Sequence, residues 1–137
     1  MNKILLATGG VLQILLAAFH GSFPWLFNWQ SDLSSVSNTN RAILYTANLW
    51  IILSLAAFAY ISLIHWKDLQ GTRLGQTLLF SMGLMWVVRA YADIAYFRIG
   101  VDGAWWRVAL FAGLASCYWI PLLLGCKLVI RIYHPLQ

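Results

Sequence analysis

Four long apolar stretches separated by shorter polar segments make up the chain. The stretches lie at about residues 4–20, 42–64, 74–97 and 104–126. A helix needs about 20 apolar residues to cross the hydrocarbon core of a bilayer, and each stretch is close to that length. The pattern therefore predicts an all-α, integral membrane four-helix antiparallel bundle that occupies the whole chain as a single transmembrane domain.

The first stretch also resembles a secretory signal, because an apolar core follows the single charge of Lys3. A cleavage site prefers small residues, but Leu16 stands at a position where a small residue is expected and bulky Phe19 and His20 follow. The sequence therefore favours a first helix that is retained.

The longest connection, residues 21–41, divides into an aromatic half and a polar half. Tryptophan favours the headgroup region of a bilayer, so Trp25 and Trp29 predict an interfacial aromatic loop along the membrane surface. The polar half ends in four side chains that can cap the second helix, namely Ser37, Asn38, Thr39 and Asn40.

Composition excludes a water-soluble domain and a disordered chain. Hydrophobic residues make up 61% of the chain and charged residues only 9%, whereas an average soluble domain has about 25% charged residues. The net charge of +5 comes from scattered residues rather than a basic run, so it does not predict a nucleic-acid partner.

Basic residues near the ends of the helices predict the orientation, because positively charged loops are retained in the cytoplasm. Five of them fall on one predicted side, namely Lys3, Lys67, Arg73, Lys127 and Arg131, and three fall on the other, namely Arg41, Arg98 and Arg107. Both termini are therefore expected in the cytoplasm.

Arg89 and Asp93 are ionisable residues within the third helix, one turn apart and thus on one face. Ionisable groups inside a membrane are costly and usually face a protein interior or a wet cavity. The pair is compatible with a ligand, proton or ion site, with a self-neutralising pair that helps pack the bundle, and with an Arg89 that extends to the interface.

Helical spacing places further polar groups at the depth of this pair. Asn48 should lie about 9 Å below the start of its helix and Asp93 about 6 Å below the end of its own. Trp86 is positioned to stack on Arg89. Together these positions predict one polar pocket whose ligand-binding residues are Arg89, Asp93, Asn48, Arg41, Arg107, His20, Trp86, Tyr118 and Gln13.

Three of these residues, Arg41, Arg89 and Arg107, outnumber the single carboxylate Asp93. Guanidinium groups bind carboxylate or phosphate through paired hydrogen bonds, so an anionic or carbonyl-bearing ligand, such as a lipid headgroup or a quinone, is expected. Arg41 and Arg107 also stand where boundary arginines extend to the interface.

Signatures of common catalytic sites are absent from the sequence. It contains no Cys-x-x-Cys, phosphate loop or nucleophile elbow, so neither catalytic residues nor a cofactor are predicted. His20, His65 and His134 are expected at different levels of the membrane, so no metal site is predicted. His20 alone is a candidate proton carrier.

Three short stretches, FNWQSDL at 27–33, SNTNR at 37–41 and WVVR at 86–89, carry a family resemblance. They resemble small four-span bacterial membrane proteins of unassigned function. The resemblance implies a bacterial inner-membrane location and a four-helix topology, and it implies no substrate. It also draws attention to Asn40, Arg41 and Arg89.

The preferred hypothesis is a non-enzymatic binding or accessory protein for a lipid-like or anionic ligand, in which Asp93 positions Arg89. The alternatives are a proton-coupled transporter using that pair, which would need to dimerise, a membrane enzyme acting on a lipid or quinone, and a structural subunit of a complex. Small residues in the fourth helix predict a contact within the chain or across a homodimer, namely Ala109 with Gly113 and Ala112 with Ser116.

Overall fold

The computed structural model of the protein describes residues 2–97, 103 and 105–133, with side chains in the last range described as far as Gly125. All regular structure in these residues is α-helical, which confirms the predicted all-α class. The helices are α1 (Asn2–Leu26), α2 (Trp29–Asp32), α3 (Asn38–Ile64), α4 (Trp66–Gly71), α5 (Arg73–Tyr96) and α6 (Trp105–Tyr133).

Four of the described helices, α1, α3, α5 and α6, are long and apolar enough to cross a membrane. Their composition and length indicate a multi-pass membrane protein. Part of the orientation prediction rests on Arg98, Lys127 and Arg131, whose side chains lie outside the described residues. Ala104, at the predicted start of the fourth helix, also lies outside them, and Cys126, at its predicted end, is described by its backbone alone.

The region expected to be an aromatic loop, residues 21–41, is largely helical instead. Helix α1 continues to Leu26, α2 follows after Asn28, and α3 begins four residues before the predicted start. Aromatic rings four residues apart favour this extension, with Phe19 and Phe23 5.0 Å apart and Phe23 and Phe27 4.9 Å apart. Polarity and tryptophan content alone do not reveal such i, i+4 contacts.

Side-chain caps begin two of the long helices. The Ser37 hydroxyl accepts a hydrogen bond from the Asn40 amide at 3.3 Å, which selects one of the four predicted caps of α3. The Thr72 hydroxyl accepts from the Gly75 amide at 2.9 Å at the start of α5. Each bond satisfies a backbone donor that the first turn of a helix leaves without a partner.

The long helices form three main packing interfaces, α1 with α3, α1 with α6, and α5 with α6. No interface of comparable extent joins α3 to α5 in the described chain. Helix α1 approaches α6 closely at Gly9, where an added Cβ would be 2.8 Å from the Tyr118 hydroxyl. It approaches α3 closely at Gly10, where an added Cβ would be 2.8 Å from Leu63 Cγ. The α3–α5 side of the bundle is consequently its least packed side.

Helix α4 packs tightly on the first turn of α5 at Gly75. An added Cβ at Gly75 would lie 2.5 Å from Leu69 Cα and closer still to the Asp68 carbonyl oxygen. These obstacles are backbone atoms, which cannot rotate away as a side chain can. The glycine therefore sets how closely α4 approaches α5.

We expect Gly75→Ala to lower the free energy of unfolding by about 1–3 kcal/mol, because the methyl group would force the two helices apart. Unfolding in detergent micelles, followed by circular dichroism, measures the effect. Gly71→Ala is the matched control, since an added Cβ at Gly71 meets no atom within 4 Å. Equal effects of the two substitutions would contradict the tight packing at Gly75.

Candidate ligand cavity

A cavity of about 650 Å³ lies between α1, α3, α5 and α6. This volume is within the range of about 300–1,000 Å³ that is typical of small-molecule sites. Most of its lining is aliphatic or aromatic, as at Leu16 and Leu110. The side chains with polar atoms in the lining are His20, Trp50, Ser54, Trp86, Arg89, Trp106 and Arg107.

A cluster of three charged side chains, centred on a buried carboxylate, joins α5 to α6 beside the cavity. Arg89 Nη1 donates a hydrogen bond to Asp93 Oδ1 within α5. Arg107 Nε, from α6, lies 3.0 Å from Asp93 Oδ2. Asp93 is fully buried, whereas the two arginines are partly exposed and line the cavity. The carboxylate thus holds both guanidinium groups at the cavity wall.

The contact of Arg107 with Asp93 is an ion pair without hydrogen-bond geometry. Arg107 Nε, Arg107 Nη2 and Asp93 Oδ2 are buried atoms for which the described residues supply no hydrogen-bond partner. Buried donors of a charged group are costly when they are left without an acceptor. Arg107 therefore has hydrogen-bonding capacity that the described residues leave unused.

Aromatic rings cover the guanidinium groups. The Arg89 Cζ atom lies 4.9 Å from the centre of the Phe111 ring and 5.4 Å from that of Phe97. Trp86, which was predicted to stack on Arg89, stacks on Phe111 instead, with ring centres 5.6 Å apart. Phe111 comes from α6, so its position between the two could not be read from the spacing within α5.

His20 and Asn48 form a paired hydrogen-bonded contact between α1 and α3. The Asn48 Nδ2 group donates to the His20 carbonyl oxygen at 2.9 Å, and Asn48 Oδ1 lies 3.0 Å from His20 Nδ1. In an α-helix the His20 carbonyl would accept from the amide of residue 24, but Pro24 has no N–H. Asn48 therefore replaces the donor that Pro24 removes.

Gln13 and Tyr118, which were predicted to share the pocket, form a separate buried cluster. Gln13 Nε2 donates to the Tyr118 hydroxyl at 2.5 Å, and Ser62 Oγ lies 3.3 Å from the same hydroxyl. None of the three side chains lines the cavity. Gln13 precedes His20 by seven residues, or about 10 Å along the helix, so the two share a face but not a depth.

Arg41 also lies outside the cavity lining. Its Nη2 group donates to Asn38 Oδ1 within the first turn of α3.

Of the nine predicted site residues, four line the cavity, namely His20, Trp86, Arg89 and Arg107. Two more, Asn48 and Asp93, do not line the cavity but contact side chains that do. Instead of the expected single polar pocket, the structure has a largely apolar cavity. Two sets of polar contacts lie in its wall, that of His20 with Asn48 and that of Asp93 with Arg89 and Arg107.

Sequence reasoning missed two residues that shape this site, Pro24 and Phe111. The spacing of Pro24 four residues after His20 was a usable signal, because it marks a carbonyl that needs an external donor. Phe111 had no such signal, since apolar residues surround it in α6. In the described part of the chain, no three His, Cys, Asp or Glu side chains are grouped to hold a metal ion.

Comparison with known protein families, curated proteins and solved structures gives no match to this chain. The resemblance to four-span bacterial membrane proteins remains a prediction. The function is therefore argued from the geometry of the cavity.

A double-mutant cycle tests the relation between Pro24 and Asn48. We expect Asn48→Leu to lower the free energy of unfolding by about 1–3 kcal/mol, because it leaves the His20 carbonyl oxygen and Nδ1 without partners. Pro24→Ala supplies an amide to that carbonyl, so the cost of Asn48→Leu should fall by about 0.5–1.5 kcal/mol in the Pro24→Ala background. Denaturant unfolding in micelles measures all four proteins, and additive effects would contradict the replacement of one donor by the other.

Proposed function

We propose that the protein is a non-enzymatic, four-span protein of a bacterial inner membrane that binds one anionic, lipid-like molecule in the cavity. The observation that carries the proposal is the excess of two guanidinium groups over one carboxylate beside a largely apolar chamber. An amphiphile with a single negative charge would neutralise the excess and place its hydrocarbon part against the apolar wall.

The charge balance favours an anion because a membrane interior screens charge poorly. Arg89, Arg107 and Asp93 together carry a net charge of +1, and no carboxylate among the described residues lines the cavity itself. An uncompensated charge in such surroundings is costly. Phosphate or carboxylate oxygens would also be acceptors for the Arg107 guanidinium group, whose Nη2 atom has no partner among the described residues.

The weakly packed side between α3 and α5 offers a route for a lipid. Both helices contribute to the lining of the cavity without forming an extensive interface with each other. Their outer surfaces expose large apolar side chains, among them Leu49 and Leu53 on α3 and Leu84 and Val88 on α5. Such surfaces suit contact with hydrocarbon, and a lipid could enter from the bilayer without crossing water.

An antiparallel arrangement with both termini in the cytoplasm is part of the proposal. Helix α4 and the start of α1 carry a basic, aromatic surface in which Lys3 Nζ lies 5.4 Å and Lys67 Nζ 5.6 Å from the Trp66 ring centre. Lysine and tryptophan are suited to a cytoplasmic headgroup layer. The cavity would then open in the outer half of the membrane.

Protein partners also remain part of the proposal. The predicted small-residue stripe of α6 is exposed at Ala112, Gly113 and Ser116, and an added Cβ at Gly113 meets no atom within 4 Å. A homodimer or another membrane protein could pack there. The stripe does not distinguish between these two partners.

Substitution of either cavity arginine should release the anion. We expect Arg107→Gln and Arg89→Gln each to lower retention of an anionic phospholipid by about fivefold or more, because each removes the excess positive charge. Native mass spectrometry of the protein released from gentle detergent, with phosphatidylglycerol added at fixed concentration, measures retention.

Two variants serve as controls for this test. Arg41→Gln removes the same charge from a residue that does not line the cavity, and it should leave retention unchanged. Arg107→Lys keeps the positive charge and should retain more lipid than Arg107→Gln. If Arg41→Gln reduces retention as much as Arg107→Gln, the lipid responds to net charge alone and the cavity is not its site.

The transporter alternative requires Asp93 to change protonation while Arg89 changes partner. The geometry does not favour it, because Asp93 contacts Arg89 and Arg107 together and its neutralisation would leave two partly buried cations without a carboxylate. We expect proteoliposomes of the unmodified protein to show no proton-driven anion flux, and Asp93→Asn to show none either. A pH-dependent flux that Asp93→Asn abolishes would replace the binding function with transport.

A further inference from the structure

The contact between His20 and Asn48 determines which nitrogen of the imidazole carries hydrogen. A backbone carbonyl only accepts hydrogen bonds, so the Asn48 group 2.9 Å from the His20 carbonyl oxygen must be its NH₂. The Asn48 oxygen therefore faces His20 Nδ1, at 3.0 Å. Two acceptors cannot bond to each other, so Nδ1 must carry the hydrogen and donate it.

This assignment leaves Nε2 as the free polar atom of the ring. In a neutral imidazole with hydrogen on Nδ1, Nε2 is a hydrogen-bond acceptor. No described residue forms a hydrogen bond with Nε2, and His20 lines the cavity. Phe23, whose ring centre lies 4.3 Å from that of His20, packs against the imidazole and restricts its rotation.

Neighbouring charges favour the neutral ring. Arg89 and Arg107 line the same cavity and outnumber the one carboxylate that contacts them. A third cation would add to the uncompensated positive charge in poorly screened surroundings. Asp93, the carboxylate of this cluster, is occupied by the two guanidinium groups.

We propose that His20 is a specificity-determining residue that accepts a hydrogen bond from a hydroxyl group on the bound anion. This inference rests on the proposed function and adds the class of ligand. The cavity would take a phosphodiester lipid whose headgroup carries a free hydroxyl, with the phosphate on Arg107 and the hydroxyl on His20 Nε2. His20 of α1 would thus select the headgroup by its hydroxyl, while Arg107 of α6 binds the phosphate.

The same geometry disfavours the quinone that the sequence left open. A quinone presents carbonyl oxygen atoms, which accept hydrogen bonds but cannot donate one to Nε2. It also carries no negative charge to offset Arg89 and Arg107. A hydroxylated anion can accept hydrogen bonds from the arginines and donate one to His20 Nε2, whereas a quinone can only accept from the arginines.

Two lipids that differ only in headgroup hydroxyls test the proposal. Phosphatidylglycerol and phosphatidylpropanol with identical acyl chains carry the same single negative charge and the same three-carbon headgroup, but only the former has free hydroxyls. In competition, followed by native mass spectrometry, we expect the unmodified protein to retain about three to ten times more phosphatidylglycerol. We expect His20→Phe to remove this preference while it still retains both lipids.

A spectroscopic measurement on the unmodified protein covers the case in which His20→Phe does not fold. Nitrogen NMR of ¹⁵N-labelled histidine, with His65→Gln to help assign the signals, should show hydrogen on Nδ1 of His20 and none on Nε2. Phosphatidylglycerol should shift the Nε2 signal in the direction of an accepted hydrogen bond, and phosphatidylpropanol should not.

The outcomes separate this inference from the proposed function. If the protein retains neither lipid, the proposed function fails. If it retains both equally, or if the preference persists in folded His20→Phe, the role of His20 is wrong while anion binding stands. Hydrogen found on Nε2 and absent from Nδ1 would also overturn the inference, because Nε2 would then be a donor.

Discussion

The buried carboxylate of Asp93 is the interaction on which the cavity depends. It accepts a hydrogen bond from Arg89 on its own helix and forms an ion pair with Arg107 on α6, so that it connects two helices and holds both guanidinium groups beside the chamber. A buried charge is tolerated only when it is paired, and this carboxylate pairs with two cations rather than one. Because of the resulting excess of positive charge, an anionic ligand would complement the charge of the site.

The other polar contacts determine where the helices approach closely and, by contrast, where they do not. Gln13 and Ser62 meet at the Tyr118 hydroxyl, where Gly9 also allows α1 to lie against α6. Nearer the end of α1, Asn48 compensates for the backbone donor that Pro24 removes. These contacts connect α1 to α3 and to α6, and none of comparable extent connects α3 to α5. The chamber lies between the four long helices, beside the side on which α3 and α5 do not pack against each other.

Much of the fold could be predicted from the sequence, and the site only in part. Apolar stretches of sufficient length identify the four long helices because hydrophobicity is a local property. The juxtaposition of Arg89 and Asp93 follows from their spacing within one helix. The structure places Gln13 and Tyr118 in a contact of their own, away from the cavity that His20 lines, because a shared helix face does not imply a shared depth. The helical segments within 21–41 were missed because they depend on aromatic contacts rather than on composition.

The sequence by itself determined the helical class, the apolar lengths and the pairs of residues that share a turn, since these depend only on composition and on the period of the α-helix. The tertiary structure decided which helices are neighbours, how each is rotated about its axis, and hence which polar groups meet. Arg107 reaches Asp93, and Asn48 reaches the carbonyl exposed by Pro24, only after helices distant in sequence have packed. Such meetings are not encoded in any local pattern, because they result from the packing of all the side chains at once.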